Sequence, residues 1–256
     1  VKNVTFIVLL WGLFLTFPTV LTQQDPRATN PSEQLLPPST NYWLGTDYLG
    51  RDVWSRVVWG GQRSVSIAVL GTFISMSCGL LLAILSVSES IWINRIIYGS
   101  LDAILAFPYL LMALVIVTLA GTGAFSVALA SGVGQIAPVA VYLRTVVKQV
   151  TVSDYVEASQ SMGASPSHII RWHILRGIRS HLGTYGGLTF VYVFMNSSAL
   201  SFLGFGGDMS HPDWGIMLAD GRFSFRIAPW VAVFPGLAIA LLVFSVMRIS
   251  ERLGSD

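Results

Sequence analysis

The chain has 256 residues, of which 53% are hydrophobic and only 11% charged, and its mean hydropathy is +0.66. Soluble globular domains carry about 25% charged residues, so this deficit excludes an ordinary soluble enzyme and a disordered protein alike and points to an integral membrane protein. The formal charge of +2 is too small to argue for a nucleic-acid partner.

A bilayer-spanning helix needs about 20 apolar residues, and six segments qualify: 4–22, 64–87, 98–120, 124–146, 184–204 and 229–248. Lys2 precedes the first, so a cleaved signal peptide is an alternative to a retained helix there. Residues Thr19 to Thr22 do not, however, make a small-x-small cleavage site. Pro108 interrupts the third segment and Pro138 the fourth, and each is expected to mark a kink. Lys and Arg divide nine to six in favour of an inner N-terminus and an inner C-terminus. The expected fold is therefore all-α with about six transmembrane helices, N-in/C-in. It divides into a first helix over 1–22, an outer segment over 23–63, a membrane core over 64–248 and a cytoplasmic tail over 249–256. Within the core, 147–183 forms an inner loop and 205–228 an outer one. Trp11, Trp43, Trp54, Trp59, Trp92, Trp214 and Trp230 fall near span ends or in loops, where interfacial aromatics belong.

The outer segment closes on Trp43-Leu44-Gly45-Thr46-Asp47-Tyr48-Leu49-Gly50-Arg51-Asp52, followed by Ser55 and Arg56. Gly45 and Gly50 permit turns, and Asp47, Arg51, Asp52 and Arg56 are spaced to form an interleaved cluster of ion pairs. Such a cluster would lock a surface-lying or re-entrant segment or cap the second span, with an architectural role favoured over substrate contact. Exposed pairs of this kind contribute only about 0–1 kcal/mol each. Asp102 and Arg144 fall a turn or two inside the inner ends of the third and fourth spans. They read equally as a salt bridge at an inner gate or as separate groups reaching for the interface. Asn196, Ser197, Ser198 and Ser201 place polar groups in the fifth span, where they would line a path or, more commonly, mediate helix packing.

The inner loop has its own punctuation. Ser153-Asp154 with Glu157 approaches a capping box, Gly163 suits the left-handed position that ends a helix, and Ser165-Pro166 starts a second one. A helix, a tight glycine elbow and a second helix are expected at the inner membrane surface. Lys2 and Lys148 each follow a valine, so no Gly-Lys pair exists to form a phosphate-binding loop. Any ATP hydrolysis would belong to another chain. Cys78 lies in an apolar run, and His168, His173, His181 and His211 lack metal-ligand spacing, so no disulfide framework, metal site or catalytic group is expected.

The run Tyr155-Val156-Glu157-Ala158-Ser159, then Gly163-Ala164-Ser165, then Arg171 to Leu175, resembles the EAA loop of ABC importer permeases. Ser159 stands for that pattern's second alanine and Arg176 for its closing proline. The block from Leu44 to Arg56 is similar to the one before the second span in permeases of the dipeptide, oligopeptide and nickel importer family, specifically the second of their two membrane subunits. Leu200 to Gly206, Pro212 to Leu218 and Ala228 to Ile239 match the same subunit in order and spacing, as does Asp102 followed by Ala106-Phe107-Pro108. The family's usual Asn-Leu-Leu-Gly-Asp tail is replaced by the run from Ser245 to Leu253.

The resemblance implies a bacterial inner-membrane, multi-pass permease subunit that forms half of a pathway and works by alternating access. Its substrate would be a peptide, nickel or a metal–chelator complex. It implies a homologous second permease, one or two ABC ATPases carrying ATP and Mg, and an extracytoplasmic binding protein. Tyr155, Glu157, Ala158, Ser159, Gly163, Ala164 and His173 would couple to the ATPase. A secondary transporter or channel would instead need ionisable groups near the bilayer midplane, and an intramembrane hydrolase would need a nucleophile and base or a metal-ligand pair at depth. No residue stands so placed.

Overall fold

The computed structural model describes residues 11, 12, 14, 18–87 and 90–254. Most of the expected first membrane helix, 4–22, lies outside these residues. The principal helices are α1 Val53–Leu85, α2 Ile91–Ala106, α3 Tyr109–Ala120, α4 Ala124–Thr151, α5 Asp154–Ser161, α6 Arg179–Phe202, α7 Trp214–Ser224 and α8 Trp230–Leu253. No strand occurs among the described residues, and a single bridge joins Thr46 to Asp52. The all-helical expectation holds.

The described residues bear on five of the expected six spans. Among the described residues, three helices, α1, α4 and α8, are long and apolar enough to cross a membrane. The α2–α3 pair adds a fourth if its two arms, bent by 97°, are one broken span. The kink expected at Pro108 is thus a break. Proline disfavours helical backbone at the residue before it, and Phe107 accordingly sits in extended conformation with φ −89° and ψ 133°. By contrast α4 runs on through Pro138 as one helix. Helix α6 has the length, 24 residues, but Arg179, Ser180, His181, Asn196, Ser197 and Ser198 hold it outside the apolar set. Helix α1 starts eleven residues ahead of the expected 64, because the Asp52 carboxylate accepts the Ser55 amide and caps it there.

Packing rests on close backbone approach. Helices α1 and α4 lie side by side in the same sense, with Gly71, Ser75 and Gly79 facing α4. The Ser75 hydroxyl lies 2.8 and 2.7 Å from the carbonyls of Gly71 and Gly132. A Cβ on Gly71 would stand 2.7 Å from Val193 Cγ1 and 2.9 Å from the Ala128 carbonyl. Small residues at this spacing let membrane helices meet at backbone distance. Helix α6 returns antiparallel, setting Val193 against Gly71 and Tyr185 against Pro138, and α8 runs back along it, setting Ser250 against Gly187. Trp214, expected at an interface, is instead fully buried: its Nε1 donates to the Val57 carbonyl at 2.8 Å and its amide to Ser64 Oγ at 3.0 Å.

Candidate functional site

Two constructions stand at opposite ends of the α1–α4 pair. The first is the elbow that follows α4. The expected capping box does not form: the Ser153 hydroxyl turns back and donates to the Val150 carbonyl at 2.6 Å, leaving α5 without a side-chain cap. Asp154 and Glu157 still lie in the first turn of α5, where negative charge suits the helix dipole. The other end is as expected. Gly163 takes φ +85°, its amide donates to the Gln160 carbonyl at 2.9 Å, and the Ala164 amide donates to the Ser159 carbonyl at 3.1 Å. These are the two bonds of a Schellman C-cap. Ser165 Oγ then accepts the His168 amide at 3.4 Å and starts the second arm, which passes through a π-helical stretch, Ile169–Ile174, on its way to α6.

The elbow is fastened to the helix it follows. Val156, Ile169, Ile174 and Ile178 are buried in one cluster with Val139, Leu143, Val146 and Val147 of α4. Ser159 is buried too, with its Oγ 3.2 Å from His173 Nε2, and the Tyr155 and His173 rings lie 5.6 Å apart. Ser159 and His173 therefore join the two arms to each other, and Ala164 is half-buried. Tyr155, Glu157, Ala158 and Gly163 are exposed. Two residues that the sequence reading passed over complete this surface: Met162, 83% exposed, and Trp172, 44% exposed with the Arg176 guanidinium 4.6 Å over its ring. The position of Met162 next to the elbow glycine was the available signal.

The second construction is at the start of α1. Gly45 and Gly50 take φ +77° and +71°, as the expected turns require. Thr46 Oγ1 accepts the Leu36 amide and donates to the Glu33 carbonyl, while the Thr46 carbonyl accepts Trp230 Nε1 at 3.1 Å. Asp47 Oδ1 accepts the Leu49 and Arg51 amides, and Oδ2 faces Arg51 Nε at 2.6 Å and Arg56 Nε at 3.5 Å. Asp220, from α7, faces Arg51 Nη2 at 3.1 Å and Arg56 Nη2 at 3.5 Å. The four side chains are 1–4% exposed.

The ion-pair cluster thus forms, with two corrections. It is buried, not exposed. Asp52 is no part of it, since Oδ2 of Asp52 is occupied by the Ser55 amide and hydroxyl in capping α1, and Asp220 takes its place. Two guanidiniums and two carboxylates balance, so the desolvated site carries no net charge. Burial, aided by the Asp47 carboxylate, pushes the Asp220 carboxyl above its ordinary range against the pull of Arg56 and Arg51. Burial also raises the Asp213 carboxyl, which caps α7 by accepting the Gly215 and Ile216 amides. In the loop before it, Asp208 is drawn down to about 2 by hydrogen bonds from the Ser210 amide and hydroxyl.

The inner ion pair does not form. The Arg144 guanidinium lies 3.8 Å over the Tyr98 ring, and Asp102 is exposed without a pairing to it. Tyr98 of α2, half-buried, occupies the place beside Arg144 that the ion pair would need. Of the polar residues on α6, Ser197 is buried and bonds the Phe194 carbonyl of its own helix at 2.9 Å. Ser201 is buried against α7, and Asn196 is half-buried.

Comparison with known proteins places this architecture. The profile of the family described as "Binding-protein-dependent transport system inner membrane component" matches residues 75–255. The glutathione transport system permease protein GsiD of Pectobacterium atrosepticum is 35% identical over 219 residues, 84% of this chain and 72% of that protein. The dipeptide transport system permease protein DppC of Alkalihalophilus pseudofirmus is 30% identical over 241 residues, 94% of this chain and 79% of that one. Among solved structures, an inward-facing MetNI methionine ABC transporter superposes with a TM-score of 0.62 at 16% identity. The match covers 78% of this chain and 94% of the other, and it speaks to the fold alone. The chain belongs to the family of binding-protein-dependent transport system inner membrane components, the permease subunits of ABC importers, and is a transport component and not an enzyme.

Proposed function

We propose that this chain is one of two homologous permeases in an importer of small peptides, the class that includes dipeptides and glutathione. It forms half of an alternating-access pathway across a bacterial inner membrane, which it crosses about six times with both termini inside. ABC ATPases, one kind or two, carry ATP and Mg and dock at the elbow, while an extracytoplasmic binding protein delivers substrate to the end that carries the buried charges. The names of the related permeases support the substrate class. Nickel and chelated metals are the alternatives to exclude by measurement.

The observation that carries the ATPase reading is the elbow itself. It is held rigidly to α4 on one side, while on the other it presents Tyr155, Met162 and Trp172 to the surroundings. Large exposed apolar side chains around a fixed turn form a contact surface for a protein partner.

The test is uptake of labelled dipeptide, oligopeptide, glutathione and nickel, the last with and without a chelator, in cells with and without this gene and with Gly163→Val. Among the described residues, no atom beyond the two chain neighbours lies within 4 Å of a Cβ at 163, so the valine meets its own left-handed backbone and the docked partner. Uptake of one peptide substrate is expected to fall about tenfold or more in the variant, as rates do when positioning is lost, with the protein still present in the membrane. Normal uptake by a membrane-resident Gly163→Val protein would overturn the docking role.

A further inference from the structure

Among the described residues, three cations near the elbow end of the membrane helices have no carboxylate partner. Arg144 and Lys148 lie one turn apart on α4 and line a pocket of about 390 Å³ with Thr145, Gln149 and Val152. Across the Arg144–Tyr98 stack, Arg95 of α2 lines a second pocket of about 520 Å³ with Ile91, Tyr98 and Gly99. Among the described residues, no carboxylate comes within ion-pair distance of Arg95, Arg144 or Lys148. Helix α4 carries no acidic residue, and Asp102, the one on α2, is exposed and unpaired. Arg144 Nε is buried without a hydrogen-bond partner, and the guanidinium is held by its stacking on the Tyr98 ring.

The surroundings point to the kind of anion. Ile91, Trp92, Ile96 and Val152 flank the cations and are each at least two-thirds exposed. The Arg95 guanidinium lies 6.0 Å over Trp92. Cations beside exposed aliphatic and indole groups at the end of an apolar helix match an amphiphile with an anionic head and hydrocarbon tails. Basic pockets between membrane helices bind phospholipid headgroups by this arrangement. An acidic surface of a soluble protein would satisfy the cations and leave the isoleucines in water.

We propose that the paired faces of α2 and α4 on either side of the Arg144–Tyr98 stack form a binding site for an anionic phospholipid. Its phosphate is held by Arg144 and Lys148, Arg95 supplies the outer charge, and its chains lie along Ile91 and Ile96. The site adjoins the elbow, so a lipid there would brace the end of α4 from which the elbow hangs.

The test uses the assembled transporter in phosphatidylcholine nanodiscs containing a minor fraction of phosphatidylglycerol, with either lipid carrying a photoreactive acyl chain. Labelling of the peptides 91–106 and 137–152 is expected to favour phosphatidylglycerol. Arg144→Gln with Lys148→Gln should lower that preference by about fivefold or more, since each Lys or Arg near an anionic surface is worth about that factor. Raised salt should erode the preference in the unmodified complex as well, a measurement that does not depend on the variant folding. The proposal is overturned by equal labelling from the two lipids, by a preference that the double variant and salt leave unchanged, or by cross-linking that joins position 144 or 148 to a partner subunit's acidic residue.

Discussion

Asp47→Asn takes one negative charge from a buried set of four and leaves the local turn nearly intact. An asparagine keeps an Oδ1 to accept the Leu49 and Arg51 amides, so the bend between Gly45 and Gly50 survives. What changes is the charge balance. Arg51 and Arg56 are left to share Asp220, and one positive charge stands uncompensated where the side chains are 1–4% exposed. Removing one partner of a buried pair costs about 3–5 kcal/mol, most of it the penalty of the orphaned charge. For a domain of this size each kcal/mol moves the melting temperature by about 2–4 °C, so the shift expected is about 6–20 °C downward. Intrinsic fluorescence from the eight tryptophans reads it on the assembled transporter in detergent. Adding Arg56→Gln restores neutrality and should recover at least half of the loss, a coupling that a double-mutant cycle isolates. A single variant melting within about 2 °C of the parent would refute the reasoning, and so would a double variant whose loss equals the sum of the singles.

Asp220→Asn should be milder than Asp47→Asn, because burial already works against the Asp220 carboxylate. A raised folded-state value also sets a sign. The contribution of protonated Asp220 is complete below the ordinary value of 3.8 and fades as pH rises through the raised one. Asn at 220 should remove that slope from a plot of melting temperature against pH. Gly71→Val drives its Cβ into Val193 and the Ala128 carbonyl, and overpacking of this kind costs about 1–3 kcal/mol or more; the level of protein in the membrane, measured by immunoblot, should fall. Trp214→Phe keeps most of the buried ring and loses the hydrogen bond to Val57, so its melting temperature should drop by about 2–4 °C, as for a loss near 1 kcal/mol. An unchanged value would show that bond to be idle.

Local signals in this chain were legible because the residue types leave little choice. Gly45, Gly50 and Gly163 mark left-handed turns since only glycine occupies that region freely, and all three take it. Ser165-Pro166 starts a helix for an equally local reason. Ser153 misled because its hydroxyl had two acceptable uses, and the nearby Val150 carbonyl took it. Long-range partners gave no such sign. Asp220 lies 169 residues from Arg51, and nothing about an aspartate in a short helix announces two guanidiniums across the fold. Trp214 looked interfacial because indoles usually are, whereas here Val57 and Ser64 satisfy its donors inside the core. Span shape was harder to read where polarity and length disagree: α6 is long but polar, and the Pro108 region is apolar yet broken.

The two constructions share one stiff connection, and its location constrains how movement can pass between them. The elbow packs on Val139, Leu143 and Val147 of α4, and α4 meets α1 where Gly71, Ser75 and Gly132 bring the two backbones together. The start of the same α1 carries Arg56 into the buried charges and offers Val57 and Ser64 to Trp214. Both helices are unbroken along that path, and interiors packed this closely transmit displacement instead of absorbing it. The sharp break found among the described residues lies elsewhere, between α2 and α3 at Pro108. On the ATPase docking proposed for the elbow, a push there is delivered to α4 and, through the Gly71–Ser75–Gly132 contact, to α1 and the buried charges. A buried set whose charges balance suits that path, because no member is left uncompensated to draw water in.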